Sequence, residues 1–157
     1  MTCRLCPRNC GDRARGFCGQ GAAAAVALVE GKPYMLHRFE EPVIAGTRGS
    51  GAIFFVGCNL RCVYCQNADI SRGDGASVTL DEVALSALFS EAAAVGDTLS
   101  LVTAAHFIAP VSRALRAVRD KLRVPVVYNS SGYESVSSLR LLDGLIDVYL
   151  PDFKHVD

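Results

Sequence analysis

Residues 52–67 read Ala-Ile-Phe-Phe-Val-Gly-Cys-Asn-Leu-Arg-Cys-Val-Tyr-Cys-Gln-Asn. The first five of them form a continuous apolar run, which is typical of a short strand buried on both faces of a parallel sheet. Three cysteines follow this run, Cys58, Cys62 and Cys65, with the spacing C-x3-C-x2-C. Three thiolates this close in the chain can bind one inorganic centre.

The number of cysteines in this stretch indicates an open metal site. Iron–sulfur clusters are usually held by four cysteine thiolates, so a cluster held by three has one iron that can bind a ligand other than protein. An open coordination position is typical of catalytic metal sites, whereas structural sites are closed. Two other interpretations stay open at this point: half of a zinc site, and redox-active thiols.

Most of the chain alternates between strand-like and helix-like segments. A helix is predicted to begin at Thr79, where Thr79 and Glu82 make a capping box, and to end at Gly96. A second helix has Pro110 in its first turn, and a short third helix covers residues 135–143. Strands that alternate with helices predict an α/β fold with right-handed parallel crossovers. The predicted strands are residues 52–56, 99–103, 124–128 and 146–150.

Polar residues follow each of the four predicted strands. Ligands of parallel α/β folds bind at the carboxyl ends of the strands, so we expect these residues to share one site. Structural roles stay open for several of them. The alternatives are a turn cap for Asn129, helix capping or packing for Thr103 and His106, and a solvated ion pair for Asp152 with Lys154. In chain order the residues are Cys58, Cys62 and Cys65; Thr103 and His106; Asn129, Ser130, Ser131 and Gly132; and Asp152 and Lys154.

A second group of cysteines lies at the N-terminus. Cys3, Cys6, Cys10 and Cys18 have the spacing C-x2-C-x3-C-x7-C within sixteen residues. Four thiolates in a compact loop predict a closed and therefore structural metal site. Zinc and a second iron–sulfur cluster both accept cysteine-only ligation, so the sequence leaves the metal open.

Between the two cysteine groups, residues 22–30 and 33–38 have the composition of short strands. The turn between them, Glu30-Gly31-Lys32, predicts a β-hairpin. The domain organisation expected from these patterns is a cysteine-rich loop (residues 1–20), a hairpin with a linker (residues 21–50) and an α/β unit (residues 51–157).

Composition excludes several classes of partner. The chain has 157 residues, and its 16 basic residues balance 16 acidic ones, so it lacks the positive charge expected of a protein that binds nucleic acid or an anionic membrane. The N-terminus has no apolar core of a signal peptide, and no apolar stretch is long enough to span a bilayer. We therefore expect a cytoplasmic protein, where cysteines are more often metal ligands than disulfides.

The motif C-x3-C-x-aromatic-C after a first strand resembles the signature of radical S-adenosylmethionine enzymes, with Tyr64 at the aromatic position. The longer string from Glu41 to Asn67 resembles the branch of homologues of the pyruvate formate-lyase activating enzyme, and the likeness extends over the whole chain. It is carried by Glu41-Pro42, Gly46-Thr47, Gly49-Ser50-Gly51, Phe54-Phe55, Gly57-Cys58-Asn59-Leu60 and Cys65-Gln66-Asn67.

The resemblance implies a partial parallel (β/α) barrel, which in this superfamily usually has six βα units. Four strands are predicted here, and the apolar fourth strand would leave an edge free for pairing. We therefore expect the barrel to be incomplete, as in a truncated gene product or a fragment.

The resemblance also implies roles for individual residues. Cys58, Cys62 and Cys65 would hold a 4Fe–4S cluster whose open iron binds S-adenosylmethionine. The other implied contacts to this cofactor are made by Tyr64, Thr103, His106, Asn129, Ser130, Gly132, Asp152 and Lys154.

One part of the family pattern is missing. Many radical S-adenosylmethionine enzymes have Gly-Gly-Glu after the second strand, and this branch usually has Thr-Pro-Thr-His, whereas the present chain has Thr103-Ala104-Ala105-His106. The resemblance therefore leaves the contact to the amino group of the cofactor unassigned.

The function implied is reductive cleavage of S-adenosylmethionine to a 5′-deoxyadenosyl radical that abstracts a hydrogen atom from a substrate. The implied partners are an electron donor such as flavodoxin or ferredoxin and, as a candidate protein substrate, a glycyl-radical enzyme. The alternative is a non-catalytic iron–sulfur or zinc-binding module that carries electrons or only binds metal.

Overall fold

The parallel strands predicted from the sequence form the centre of the computed structural model, which describes residues 3–12 and 15–154. In these residues the strands are β1 (Ala24–Ala27), β2 (Met35–His37), β3 (Ser50–Phe54), β4 (Ser77–Leu80), β5 (Thr98–Val102), β6 (Val126–Ser130) and β7 (Val148–Pro151). The helices are α1 (Pro42–Ala45), α2 (Ala68–Arg72), α3 (Glu82–Val95), α4 (Ile108–Val118) and α5 (Val136–Leu139), with 3₁₀ turns at Ala105–Phe107, Arg119–Lys121 and Arg140–Leu142.

Five of these strands form one mixed sheet in the order β2-β3-β5-β6-β7. The four strands from β3 to β7 in this order are parallel, and β2 pairs antiparallel with β3 at the edge. The α/β class and the four parallel strands are thus confirmed, with bounds shifted by one or two residues from the predicted ones. A barrel of the radical S-adenosylmethionine type stays a prediction.

The register of the sheet brings the carboxyl ends of its parallel strands together. Phe54 pairs with Val102, Val102 with Asn129, and Asn129 with Leu150. The loops that follow β3, β5, β6 and β7 therefore leave the sheet at the same edge. This is the edge at which the sequence places its cysteines and most of its unusual polar residues.

The core lies between this sheet and the helices α3 and α4. All five residues of β5 are buried, which is the pattern of a central strand covered on both faces. Leu85, Leu88, Phe89 and Ala92 of α3 are all buried in this core. Val111 and Leu115 of α4 are buried in the same core.

The predicted start of α3 is wrong. Thr79 lies in β4, whose four residues pair antiparallel with β1 to form a separate two-stranded sheet. The helix instead begins after Asp81, whose carboxylate accepts a hydrogen bond from the backbone N–H of Ala84 (2.8 Å) and so caps the first turn. Pairing with β1 therefore overrides the capping-box pattern of Thr79 and Glu82.

The predicted hairpin of residues 22–38 is also wrong. Its turn does form, with positive φ at Glu30 and Gly31 and paired backbone hydrogen bonds between Val29 and Lys32. The strands on either side then separate, because β1 pairs with β4 and β2 pairs with β3. The turn therefore joins two sheets.

Asp97 connects the loop before β3 to the turn before β5. Its carboxylate accepts hydrogen bonds from the backbone N–H groups of Thr47 (2.8 Å) and Arg48 (2.9 Å) and from Nε of Arg48 (2.6 Å). The hydrogen bonds from Arg48, followed by that from Thr47, hold the pKa of Asp97 well below its ordinary value. The carboxylate therefore remains charged and helps to set where β3 enters the sheet.

Within residues 3–12 and 15–154, no helix has the length and apolar character needed to cross a membrane.

Candidate metal and cofactor site

The loop between β3 and α2 carries the three cysteines of the central motif. Cys58, Cys62 and Cys65 are half-buried and free of disulfides. The N–H of Cys65 donates to the carbonyl of Cys62 (3.2 Å), and the N–H of Leu60 lies 3.4 Å from Sγ of Cys58. Arg61 has a φ of 53°, in the left-handed region. The loop thus folds as a succession of tight turns with its thiols at the carboxyl edge of the sheet.

These cysteines fit an iron–sulfur cluster by the chemistry of their donor set. Thiolates are the ligands that such clusters use, and three of them come from one short loop. In residues 3–12 and 15–154, no three His, Cys, Asp or Glu side chains are positioned to hold a metal ion. The three cysteines therefore match an iron–sulfur cluster in ligand type and in their position in the fold, but their side chains are not arranged around a common metal position.

Asn59, next to Cys58, shows a further feature of this loop. It is 1% exposed, and its Nδ2 donates to the carbonyl of Tyr133 (2.9 Å). Its Oδ1 is buried without a hydrogen-bond partner among the described residues. A buried acceptor without a donor costs about 1–3 kcal/mol, so this loop is tied to the β6–α5 connection at a cost.

Tyr64 and Lys154 bring the cysteine loop to the end of β7. The hydroxyl of Tyr64 donates to the carbonyl of Lys154 (3.1 Å), and the ammonium of Lys154 lies 2.5 Å from a carboxylate oxygen of Asp152. The hydrogen bond with Asp152 is the main cause that raises the pKa of Lys154, and the charges of Cys62 and Tyr64 add to it. Four residues singled out in the sequence therefore lie together.

The loop after β6 joins the same group. Gly132 has a φ of 68° and donates its N–H to the hydroxyl of Ser130 (3.1 Å). The carbonyl of Ser130 accepts from the N–H of Asp152 (2.8 Å). This polar turn is thus attached directly to the end of β7.

Thr103 and Asn129 are neighbours through their backbones. The N–H of Thr103 donates to the carbonyl of Asn129 (2.9 Å). Thr103 has a φ of 60°, which is rare for a β-branched residue and costs about 1–3 kcal/mol. Such strain clusters at functional sites, so the conformation of Thr103 supports its place among the candidate residues.

The side chain of Asn129 points to a residue that the sequence analysis missed. Its Nδ2 lies 3.4 Å from a carboxylate oxygen of Glu40, which is itself 3.9 Å from Nε2 of His37. Glu40 lies between β2 and α1, and no motif in the sequence distinguishes it. Only the tertiary structure brings its carboxylate beside Asn129.

His106 lies apart from the other candidate residues. Its side chain is buried in the 3₁₀ turn after β5, and Nε2 lies 2.7 Å from the carbonyl of Val56. A carbonyl only accepts, so Nε2 carries the proton and donates. Nδ1 is buried with no partner among the described residues. Burial lowers the pKa of His106 to about 4, although the bond to Val56 opposes this.

The free energy of unfolding is expected to decrease as the pH is lowered from 6.5 to about 4. In this pH range His106 is neutral in the folded chain and takes up a proton when the chain unfolds, so acid favours unfolding. The contribution of neutral His106 to the free energy of unfolding is therefore complete above pH 6.5 and is lost as the pH falls to the folded pKa of about 4. At 1.36 kcal/mol per pKa unit the loss is about 3 kcal/mol. Urea unfolding measured across this pH range checks it.

The control for this experiment is His106→Gln, whose amide can still donate to Val56 but does not titrate. Its stability should vary much less between pH 4 and 6.5 than that of the wild type. An equal pH dependence in His106→Gln and the wild type would contradict the assignment.

A cavity of about 620 Å³ opens beside the ends of β6 and β7. Of the residues predicted to share a site, Ser131, Gly132, Asp152 and Lys154 line it, and none of the three cysteines does. The rest of its lining consists of Arg8, Leu60, Tyr133, Pro151 and Phe153. Arg8 comes from the N-terminal loop, which the sequence analysis had treated as separate.

The thiols of the N-terminal loop lie near one another. Burial is the main cause that raises the pKa of Cys18, and the charges of Cys3, Cys10 and Cys6 raise it further, against a hydrogen bond from the backbone of Gln20. Cys10 and Cys18 both lie against Gly16, with their Sγ atoms 3.3 and 3.6 Å from the position of a β-carbon there.

Backbone contacts complete this loop. Cys3 and Gly11 exchange hydrogen bonds of 2.8 and 3.2 Å, and the N–H of Phe17 donates to Sγ of Cys10 (3.3 Å). By ligand type the loop fits a closed metal site, which stays a prediction, as do zinc and a second cluster as its two alternative occupants.

Comparison with known proteins finds a relative that aligns with nearly the whole chain. The chain is 30% identical to an uncharacterised protein of Methanocaldococcus jannaschii, MJ0674, over 165 aligned residues. The alignment covers 98% of this chain and 45% of the relative, so the chain spans less than half the length of that protein. No protein-family model matches the chain, and no solved structure matches it.

Proposed function

We propose that the chain is part of a radical S-adenosylmethionine enzyme and that Cys58, Cys62 and Cys65 hold its 4Fe–4S cluster. One observation carries the proposal. The three-cysteine loop leaves β3 at the carboxyl edge of the parallel strands, and the hydrogen bond from Tyr64 to Lys154 attaches it to the end of β7. The finer fold proposed is a partial parallel barrel, of which β3, β5, β6 and β7 are four strands.

The cations around the cysteine loop support a site with negative charge. The guanidinium groups of Arg8 and Arg61 lie 3.9 and 5.5 Å from the ring centroid of Phe17, and Lys154 is close enough to Cys62 for the charge of the thiolate to raise its pKa. These cations favour the binding of a negatively charged group beside the loop.

The residues of this chain would orient S-adenosylmethionine along the strand ends. The ring of Tyr64, which is 62% exposed, is available to pack against the adenine. The turn of Ser130 and Gly132 offers a hydroxyl near the ribose or methionine, and Lys154 can neutralise a carboxylate. Thr103 and Asn129 are proposed as further cofactor residues. His106 is proposed to act indirectly, because its hydrogen bond to the carbonyl of Val56 positions the chain just after β3.

The cluster and S-adenosylmethionine, when bound, supply a one-electron cleavage of a carbon–sulfur bond and thereby a radical that removes hydrogen from a substrate. The protein contributes ligation, orientation and shielding. The proposal also includes an electron donor such as flavodoxin or ferredoxin and a glycyl-radical enzyme as the substrate. The proposed location is the cytoplasm.

The experiment that tests it is anaerobic reconstitution of the chain with iron and sulfide, followed by reduction. Electron paramagnetic resonance spectra are then recorded with and without S-adenosylmethionine. A 4Fe–4S signal that changes when the cofactor is added is the expected result. An iron signal that ignores the cofactor would favour the electron-carrier alternative, and retention of zinc with no iron signal would overturn the proposal.

A further inference from the structure

The N-terminal loop contributes an arginine to the wall of the cavity beside β6 and β7. Arg8 lies between Cys6 and Cys10 in the chain, and its Nε donates to the carbonyl of Asn59 (3.0 Å). Its guanidinium is 3.9 Å from the ring centroid of Phe17 and 5.8 Å from that of Tyr133. Although the residue is exposed, three contacts from three different loops hold its side chain in place.

The charges that line the cavity leave Arg8 without an acidic partner. The lining contains two cations, Arg8 and Lys154, and one acid, Asp152. Lys154 is paired with Asp152 at 2.5 Å. In residues 3–12 and 15–154 no carboxylate forms an ion pair with Arg8. The described residues of the lining therefore have one net positive charge, which is that of Arg8.

We propose that Arg8 binds an anionic group, a carboxylate or a phosphate, of a small molecule in this cavity. A guanidinium presents a planar fork of N–H donors that matches either group, and the contact with Phe17 fixes its plane before the ligand arrives. The hydroxyl of Ser131, in the same wall, can add a hydrogen bond. The cavity shares Gly132 and Lys154 with the proposed cofactor site, but the inference does not rest on that function and needs no iron.

The test is a nitrogen-15 NMR titration of the full chain with inorganic phosphate and, separately, with malonate. We expect shifts of the backbone N–H signals of Gly132 and Tyr133 and of the Nε–H signal of Arg8. Arg8→Gln should weaken binding at least tenfold, and Arg8→Lys should retain part of it. Arg123→Gln, which removes an exposed arginine outside the cavity, should bind as the wild type does.

The two anions distinguish the two ligand classes, because a stronger response to phosphate or to malonate identifies the preferred group. The N–H of Ser135, which donates to the carbonyl of Leu5 (3.1 Å), reports whether the loop stays docked in Arg8→Gln. An Nε–H signal of Arg8 that neither anion shifts in the wild type would overturn the proposal, whatever the variants do.

Discussion

Cys62→Ala is expected to abolish the cofactor-sensitive electron paramagnetic resonance signal of the reconstituted chain. With Cys62 gone, two thiolates of the loop remain, which are too few for a cluster that needs three protein ligands and one open iron. Reductive cleavage of S-adenosylmethionine should be lost together with the signal. The measurement is the spectrum of the reduced variant with and without the cofactor, beside a circular dichroism spectrum that checks the fold.

Cys10→Ala is the matched control, because it removes a half-buried thiol from the other cysteine group. It should keep the cofactor-sensitive signal. If the N-terminal loop holds a second cluster, Cys62→Ala will retain an iron signal that S-adenosylmethionine does not change. Cofactor cleavage by Cys62→Ala at the wild-type rate would show that the ligands have been assigned wrongly.

Gly51→Ala is expected to destabilise the fold by about 3 kcal/mol, at the upper end of the usual cost of overpacking. Gly51 lies in β3, where the backbone of α3 crosses the sheet, and a β-carbon there would overlap the carbonyl oxygen of Ala92 and lie 2.7 Å from its carbonyl carbon. Backbone atoms on both sides must move to make room. Urea unfolding measures the loss.

Gly75→Ala is the control for this substitution. Among the described residues other than its chain neighbours, no atom lies within 4 Å of the position of its β-carbon. Its free energy of unfolding should therefore stay within about 0.5 kcal/mol of the wild-type value. A similarly small effect of Gly51→Ala would mean that α3 can move away from β3 without loss of packing. The position of β3, and of the cysteine loop after it, would then be less constrained than the structure indicates.

The apolar and polar pattern of neighbouring residues predicted correctly those strands that are fully buried. The apolar run of β5 indicates a strand covered on both faces, and all five of its residues are buried. The prediction failed at Thr79, because Thr79 and Glu82 match a capping box although residues 77–80 form a strand. The choice was made by β1, which lies about fifty residues earlier in the chain.

The hairpin prediction failed for a similar reason. Turn chemistry at Glu30 and Gly31 is a matter of backbone conformation at two residues, and it was predicted correctly. Which strands pair beyond the turn depends on the whole sheet, where β3 offers β2 a buried partner. A turn signal therefore predicts a reversal of the chain but leaves the strand partners undetermined.

The sequence by itself determined the α/β class, the four parallel strands and the placement of cysteines and polar residues after them, because periodicity and spacing are properties of neighbouring residues. Only the tertiary structure decided which of those residues meet. Tyr64 reaches Lys154, Asn129 reaches Glu40, and Arg8 reaches Asn59 across 90, 89 and 51 positions of the chain. Such contacts depend on strand order and register, which arise when the whole chain buries its apolar surface in one core.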